Sequence, residues 1–311
     1  MEILPSSSES SVPYRTLPLG YPVFSVAFSP DGLILASGST DHKVHLWDTI
    51  TLEEKGSPLS GHTGTVWCLA YHPQGTLLAS ASVDKTIRLW DMASKKVTFV
   101  LEGHTSYVYC AAFSSNGQLL ASASEDRTVR LWDTSTGKEL PFSPLETHES
   151  PAWSVAWAHN GKTLASGTGM GKIHLWEAAT GKKKGAPVEG HTAPVQSLTF
   201  YSDDHTLVSG SGDTTVRFWD PSAGKEIPPP ITWHTSGVNS IALGHSEKIL
   251  ASGSNYPTIG LWDATTRKGK RTLSGHTGSV QCVALNPTST TLASASLDET
   301  IRLWDISHLL I

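Results

Sequence analysis

Apolar and polar residues alternate along this chain in short runs, and the alternation restarts at a nearly constant interval. The stretch TVWCLAYHPQGTLLASASVDKTIRLWD (65–91) holds three such runs, broken first by HPQG and then by an Asp-bearing turn. A period of two marks half-buried strands. Gly, Pro, Asn and Asp at the breaks mark tight turns. The first turn returns elsewhere as SPDG, SSNG and AHNG. Helical spacing of apolar residues is absent throughout, so the pattern predicts an all-β chain of short antiparallel strands.

The restart defines a repeat. Tryptophan followed by an acid occurs at Trp47, Trp90, Trp132, Trp176, Trp219, Trp262 and Trp304, at successive spacings of 43, 42, 44, 43, 43 and 42. A histidine stands 28 residues before six of these tryptophans, at His62, His104, His148, His191, His234 and His276, with Leu19 in the first repeat. A serine follows 18 residues after that column: Ser37, Ser80, Ser122, Ser166, Ser209, Ser252 and Ser294. Four residues later comes Asp41, Asp84, Asp126, Asp213 or Asp298, with Met170 and Tyr256 as exceptions. All length variation falls between one Trp-acid pair and the next histidine, as in a rigid module with a variable outer connection.

These Gly-His and Trp-Asp marks, about 40–45 residues apart, resemble the WD40-repeat family over roughly residues 14–305. The resemblance implies a seven-bladed β-propeller of four-stranded antiparallel blades, spanning 14–311 after a flexible serine-rich start at 1–13. After Asp305 only six residues remain, too few for a turn and a fourth strand. The segment 14–19 is therefore expected to complete the last blade and close the ring, removing an exposed strand edge.

Ser, His and Asp together in four of the repeats also suggest an acyl-transfer triad. Against that reading, near-copies of one active site would recur around the chain, and no G-x-S-x-G elbow accompanies them. A buried brace explains more. The indole donates, the hydroxyl accepts and donates, and the imidazole passes the chain to a carboxylate. Complete sets are His62, Ser80, Asp84, Trp90; His104, Ser122, Asp126, Trp132; His191, Ser209, Asp213, Trp219; and His276, Ser294, Asp298, Trp304. Repeats one, four and six are incomplete and are expected to be less firmly braced, with a distinct turn at 255–257.

Composition narrows the function classes. A net charge of −5 disfavours a general nucleic-acid surface. No apolar run is long enough to span a bilayer, and the N-terminus lacks the pattern of a secretory signal. Cys68, Cys110 and Cys282 share one place in their repeats and read as reduced, buried, small apolar residues. The remaining histidines lack metal-ligand spacing. We expect no metal, no cofactor and no enzyme activity. A monomeric, cytoplasmic or nuclear interaction scaffold with a protein or peptide partner is the leading reading.

For the binding site, the resemblance implies that positions near the start of the innermost strand line one mouth of the channel. Five residues after the histidine column stand Phe24, Trp67, Tyr109, Trp153, Gln196, Asn239 and Gln281. We expect Phe24, Trp67, Tyr107, Tyr109 and Trp153 to form an aromatic crescent, with Glu125 beside it and the three amides opposite. That set suits a peptide bearing Arg or Lys. The alternative is an anionic partner, nucleic acid or phospholipid, on a basic rim of Lys95, Lys96, Lys138, Lys182, Lys183, Lys184, Lys225, Arg267, Lys268, Lys270 and Arg271.

Overall fold

A lone hairpin cannot bury its apolar face, so each repeat needs neighbours on both sides. The computed structural model describes residues 15–145 and 149–309, and there seven antiparallel sheets form a closed ring. The expected lead-in at 1–13 and His148 lie outside the described residues. The innermost strands are Val23–Phe28, Val66–Tyr71, Val108–Phe113, Ala152–Trp157, Val195–Phe200, Val238–Leu243 and Val280–Leu285. Each contacts the innermost strands of both neighbours, and the seventh returns to the first.

The first residue of each innermost strand locks one blade to the preceding one. Val66, Val195, Val238 and Val280 are fully buried against Gly38, Gly167, Gly210 and Gly253. A methyl on Gly38 would lie 2.6 Å from Val66, so the close approach of blades excludes a side chain there. Fully buried Ala81, Ala123 and Ala295 occupy this place in the other three blades.

A polar column reinforces the same seam. Ser25 accepts from the Leu69 amide at 3.0 Å, and Ser240 accepts from the Val283 amide at 3.1 Å. In the same column, Cys68 accepts from the Ala111 amide at 3.4 Å, while Cys110 and Cys282 donate to Val155 and Val26 carbonyls. The three thiols are free and only partly buried by surface area. They are weak blade-to-blade hydrogen-bonding groups standing where other blades use serine, which corrects their reading as apolar filler.

Not every blade has four regular strands. Blades two and six carry full outer strands, Lys96–Leu101 and Gly269–Ser274, and the fifth has only Lys225–Glu226. Blades one, three and four form three-stranded sheets, their outer segments held by isolated contacts such as Val44 with Leu59 and Ile173 with Val188. The cause is legible in the sequence. From tryptophan to the next histidine, blades two and six use 14 residues, whereas blades one, three, four and five use 15 or 16. Each longer connection carries a proline, Pro58, Pro144, Pro187 or Pro230, just before its buried anchor Leu59, Leu145, Val188 or Ile231. Proline cannot donate to a ladder, and an added residue breaks the pairing phase.

Arg15–Pro18 pairs antiparallel with Thr300–Asp305, from Arg15 opposite Leu303 to Pro18 opposite Thr300. Leu17 and Leu19 pack with buried Ile301 and Leu303. The N-terminal strand thus joins the last blade. Deleting residues 1–19 removes these ladder bonds, each worth about 1 kcal/mol net, and should lower the melting temperature by several degrees or more in calorimetry.

Candidate functional site

All seven innermost strands begin with a β-bulge, and it sets where their side chains point. In blade one Val23 pairs with Ser39 and Ser25 with Gly38, so Phe24 is the extra residue. The same shift leaves Trp67, Tyr109, Trp153, Gln196, Asn239 and Gln281 as the extra residues of the other blades. A bulge takes one residue out of the pleat and re-aims it. It frees this column from the core alternation that constrains its neighbours.

Four consecutive blades fill the column with rings in contact. Centroids lie 4.6 Å apart for Phe24 and Trp67, 5.5 Å for Trp67 and Tyr109, and 4.3 Å for Tyr109 and Trp153, the last pair stacked at 8°. All four are half-buried. The indole N–H groups of Trp67 and Trp153 have no hydrogen-bond partner among the described residues. Gly169 makes room for the second indole, since a methyl there would sit 3.3 Å from its Nε1. Burial and the neighbouring Glu125 carboxylate push the Tyr109 phenol up to about 12. Glu125 also accepts from the Ser106 hydroxyl at 2.5 Å. Tyr107 is exposed beside this array, and its carbonyl accepts from the Glu125 amide at 2.9 Å.

The amide side is different. Asn239 donates to Asn255 Oδ1 at 2.9 Å and to the Val280 carbonyl at 3.0 Å. Gln281 donates to Ser279 at 2.7 Å, and Ser279 in turn donates to Asn255 at 3.1 Å. Gln196 lies beside Gly212. Much of the amide arc is bonded to itself, whereas the aromatic arc offers four half-buried rings and two indole donors without a partner among the described residues. Asn255, just before the turn-aspartate position, and Ser279, three after the histidine column, complete this arc; both stand in columns that the family resemblance also implies line the mouth.

Behind the mouth lie the braces. In blade two, Trp90 Nε1 donates to Ser80 at 2.8 Å, Ser80 bonds His62 Nε2 at 2.7 Å, and His62 Nδ1 donates to Asp84 at 2.7 Å. The same chain runs through blades three, five and seven within 0.1 Å. Donors and acceptors close when the neutral imidazole carries its proton on Nδ1. Each serine is fully buried and its oxygen is already used by an indole, so no substrate carbonyl can reach it. The aspartate also builds its own turn. Asp84 Oδ1 accepts from the Thr86 amide at 2.9 Å and supports Lys85 at φ 74°. Burial pushes the Asp84, Asp126 and Asp213 carboxyls up, but the histidine and threonine hydrogen bonds outweigh it. They end well below the usual carboxylate range.

Comparison with known families agrees with this repeat. Residues 22–227 match the family model described as IFT122 first beta-propeller, and residues 229–263 and 267–305 match the WD domain, G-beta repeat. The chain belongs to this family of WD40 propellers. No curated protein matches it.

Within the WD40 ring, the incomplete blades differ from one another. Trp47, Trp176 and Trp262 still donate to Ser37, Ser166 and Ser252 at 2.8–2.9 Å. In blade one, Asp41 turns to His45, which lies on the third strand and also binds Tyr21 at 2.9 Å and Glu54 at 2.6 Å. A substitute brace therefore stands where Leu19 displaced the histidine. In blade four, Gly171 takes the positive-φ place after Met170. Blade six has no substitute among the described residues. His234 bonds Ser252 at 2.6 Å, but Tyr256 offers no carboxylate. Pro257 holds the place that is left-handed at Lys85, Arg127 and Thr214, and proline's ring forbids that φ. Trp233 replaces glycine and packs edge-on against His234 at 4.9 Å.

Five of the eleven cations of the basic rim of this WD40 chain are engaged by the protein itself. Lys183 lies over the Trp176 ring at 5.8 Å, and Arg267 lies over Phe218 at 4.1 Å. Lys184 reaches Thr163, Lys270 reaches Asp263 and the Leu309 carbonyl, and Arg271 reaches His308.

Burial without a counter-charge lowers the His234 imidazole to about 4 from an ordinary 6.5. A base depressed in the folded state contributes stability above its unfolded value that is lost as pH falls toward the folded one. Blade six should therefore weaken between pH 6.5 and 4, by about 3 kcal/mol at the limit. Replacing Tyr256 with Asp and Pro257 with Lys rebuilds the turn, and thermal melts across that window should show a smaller acid loss.

Proposed function

We propose that this WD40 propeller is a non-catalytic scaffold that holds a peptide or protein segment across its mouth, on the crescent of Phe24, Trp67, Tyr109 and Trp153. WD40 propellers are generally protein-interaction scaffolds, which supports the class of function. The observation that carries the site is the contrast between its arcs. Four bulge residues present contiguous ring faces and two unbonded indole donors, while the facing amides largely satisfy one another. Aromatic side chains with one polar handle dominate binding hot spots.

The partner's chemistry follows from the rings and Glu125. A Lys or Arg side chain laid on a Trp or Tyr face gains cation–π energy, and the adjacent carboxylate completes the pair. Tyr107 and Glu125 form the edge that such a residue crosses. The matched model describes the first propeller of its proteins, which supports a recognition module of a larger regulatory protein. Five of the eleven rim cations, Lys183, Lys184, Arg267, Lys270 and Arg271, are engaged within the chain, which weakens the rim as the main surface.

Replacing Trp67 and Trp153 together by alanine should abolish affinity capture of the partner from cell extract. Both side chains are half-buried and lie outside the braces, so the melting temperature should change by only a few degrees. Capture that survives in the folded double variant contradicts the crescent as the site.

A further inference from the structure

Repeats allow one position to be read against its equivalents, and the residue two before each tryptophan is informative. In blades three and five it is arginine, paired with a glutamate on the outer segment: Arg130 with Glu139 at 2.6 Å, Arg217 with Glu226 at 2.7 Å. In blade one His45 pairs with Glu54 at 2.6 Å in the same way. All three glutamates lie opposite their tryptophans. In blade two the residue opposite Trp90 is Val97, so Arg88 has no carboxylate. Among the described residues Arg88 makes no hydrogen bond or ion pair, and its Nε is buried without a partner. Arg130 Nε is likewise unpartnered, but the Arg130 guanidinium is neutralised through its other nitrogen.

Arg88 lines a cavity of about 440 Å³ between the outer edges of blades one and two. Lys55, Lys95 and Lys96 line it as well, with Ser57 and Ser60, and no acidic residue does. Asp48 engages Lys55 from outside the lining at 3.2 Å. Partial burial and the Lys55 charge hold the Lys95 ammonium below its ordinary value, against the opposing pull of Asp91. Like charges are thus held together in a partly desolvated groove. The equivalent seam between blades six and seven shows what such a place accepts. There Arg302 also has no carboxylate partner among the described residues, and Lys270, the counterpart of Lys55, donates to the Leu309 carbonyl of the C-terminal turn at 2.9 Å. An oxygen acceptor from the chain itself sits at that seam; at blades one and two the lysines have Asp48, Asp91 and Asp31 near them, none of which lines the groove.

We propose that the groove between blades one and two binds a phosphate monoester, its dianion bridging Arg88 and the lysines Lys55, Lys95 and Lys96. A carboxylate such as Glu139 satisfies one guanidinium. A phosphoryl group brings about two charges and three acceptor oxygens, which suits several cations converging from two blades. The groove lies on the circumference, so it is separate from the mouth and independent of the peptide reading.

Phenyl phosphate titrated into the full chain at low salt should bind with a Kd below about 1 mM, and acetate should bind far more weakly. Arg88→Gln should weaken binding at least tenfold. Val97→Glu installs the glutamate that blades three and five already carry, so it should abolish binding while leaving the melting temperature within a few degrees. Vesicles carrying phosphatidic acid, run beside the soluble ester, tell a membrane-borne phosphate from a free one. Binding by either probe that both substitutions remove supports the site. No binding of either probe, or binding unchanged in folded Val97→Glu, overturns it.

Discussion

Each blade buries an indole N–H that can only donate, and in all seven it finds the hydroxyl of the serine ten residues earlier, at 2.7–2.9 Å. A buried donor left unpaired costs about 1–3 kcal/mol, so this bond fixes the register between the second and third strands of every sheet. The rest of the brace is built outward from it. Histidine ties the incoming connection to the serine, and aspartate ties the histidine to the turn it caps. One column change therefore has local consequences. Blade one recruits His45, Tyr21 and Glu54 around a stranded aspartate, while blade six closes over its histidine with Trp233.

Fixing the blades this way separates what holds the ring from what the ring can bind. Core columns such as Val66, Leu69 and Leu89 are packed between blades and tolerate little. The bulge residue just after the first core residue, a valine in six blades and Ala152 in the fourth, escapes that packing. It is Phe, Trp, Tyr, Trp, Gln, Asn and Gln around the ring, without disturbing the strands behind it. Function of the kind we propose needs this freedom, because a binding surface must vary where a core cannot. The circumference offers a second place of the same sort, where one glutamate-to-valine difference leaves Arg88 uncompensated.

Much of this architecture was readable from residue spacing. The fixed 28-residue unit, the closing N-terminal strand and the outer strand at Lys96–Leu101 all follow from period and length. The aromatic run was visible as a column, although its bulge was not, since alternation does not say which residue drops out of register. Three features were hidden for physical reasons. The cysteines looked like filler because their role is a weak bond to the neighbouring blade's backbone, invisible in one repeat. The missing outer strands needed the proline column and the connection lengths to be taken together. Availability of the rim cations could not be judged from charge alone, because aromatic faces and carbonyls occupy many of them.

The central claim is that the complete brace, not strand regularity, sets the firmness of a blade. Blades two and six test it directly, since both have four full strands and differ at the turn aspartate. Native-state hydrogen exchange at neutral pH should show slower opening for amides of Val66–Tyr71 and Ile87–Asp91 than for Val238–Leu243 and Thr258–Asp263. Equal protection in the two blades would contradict the account.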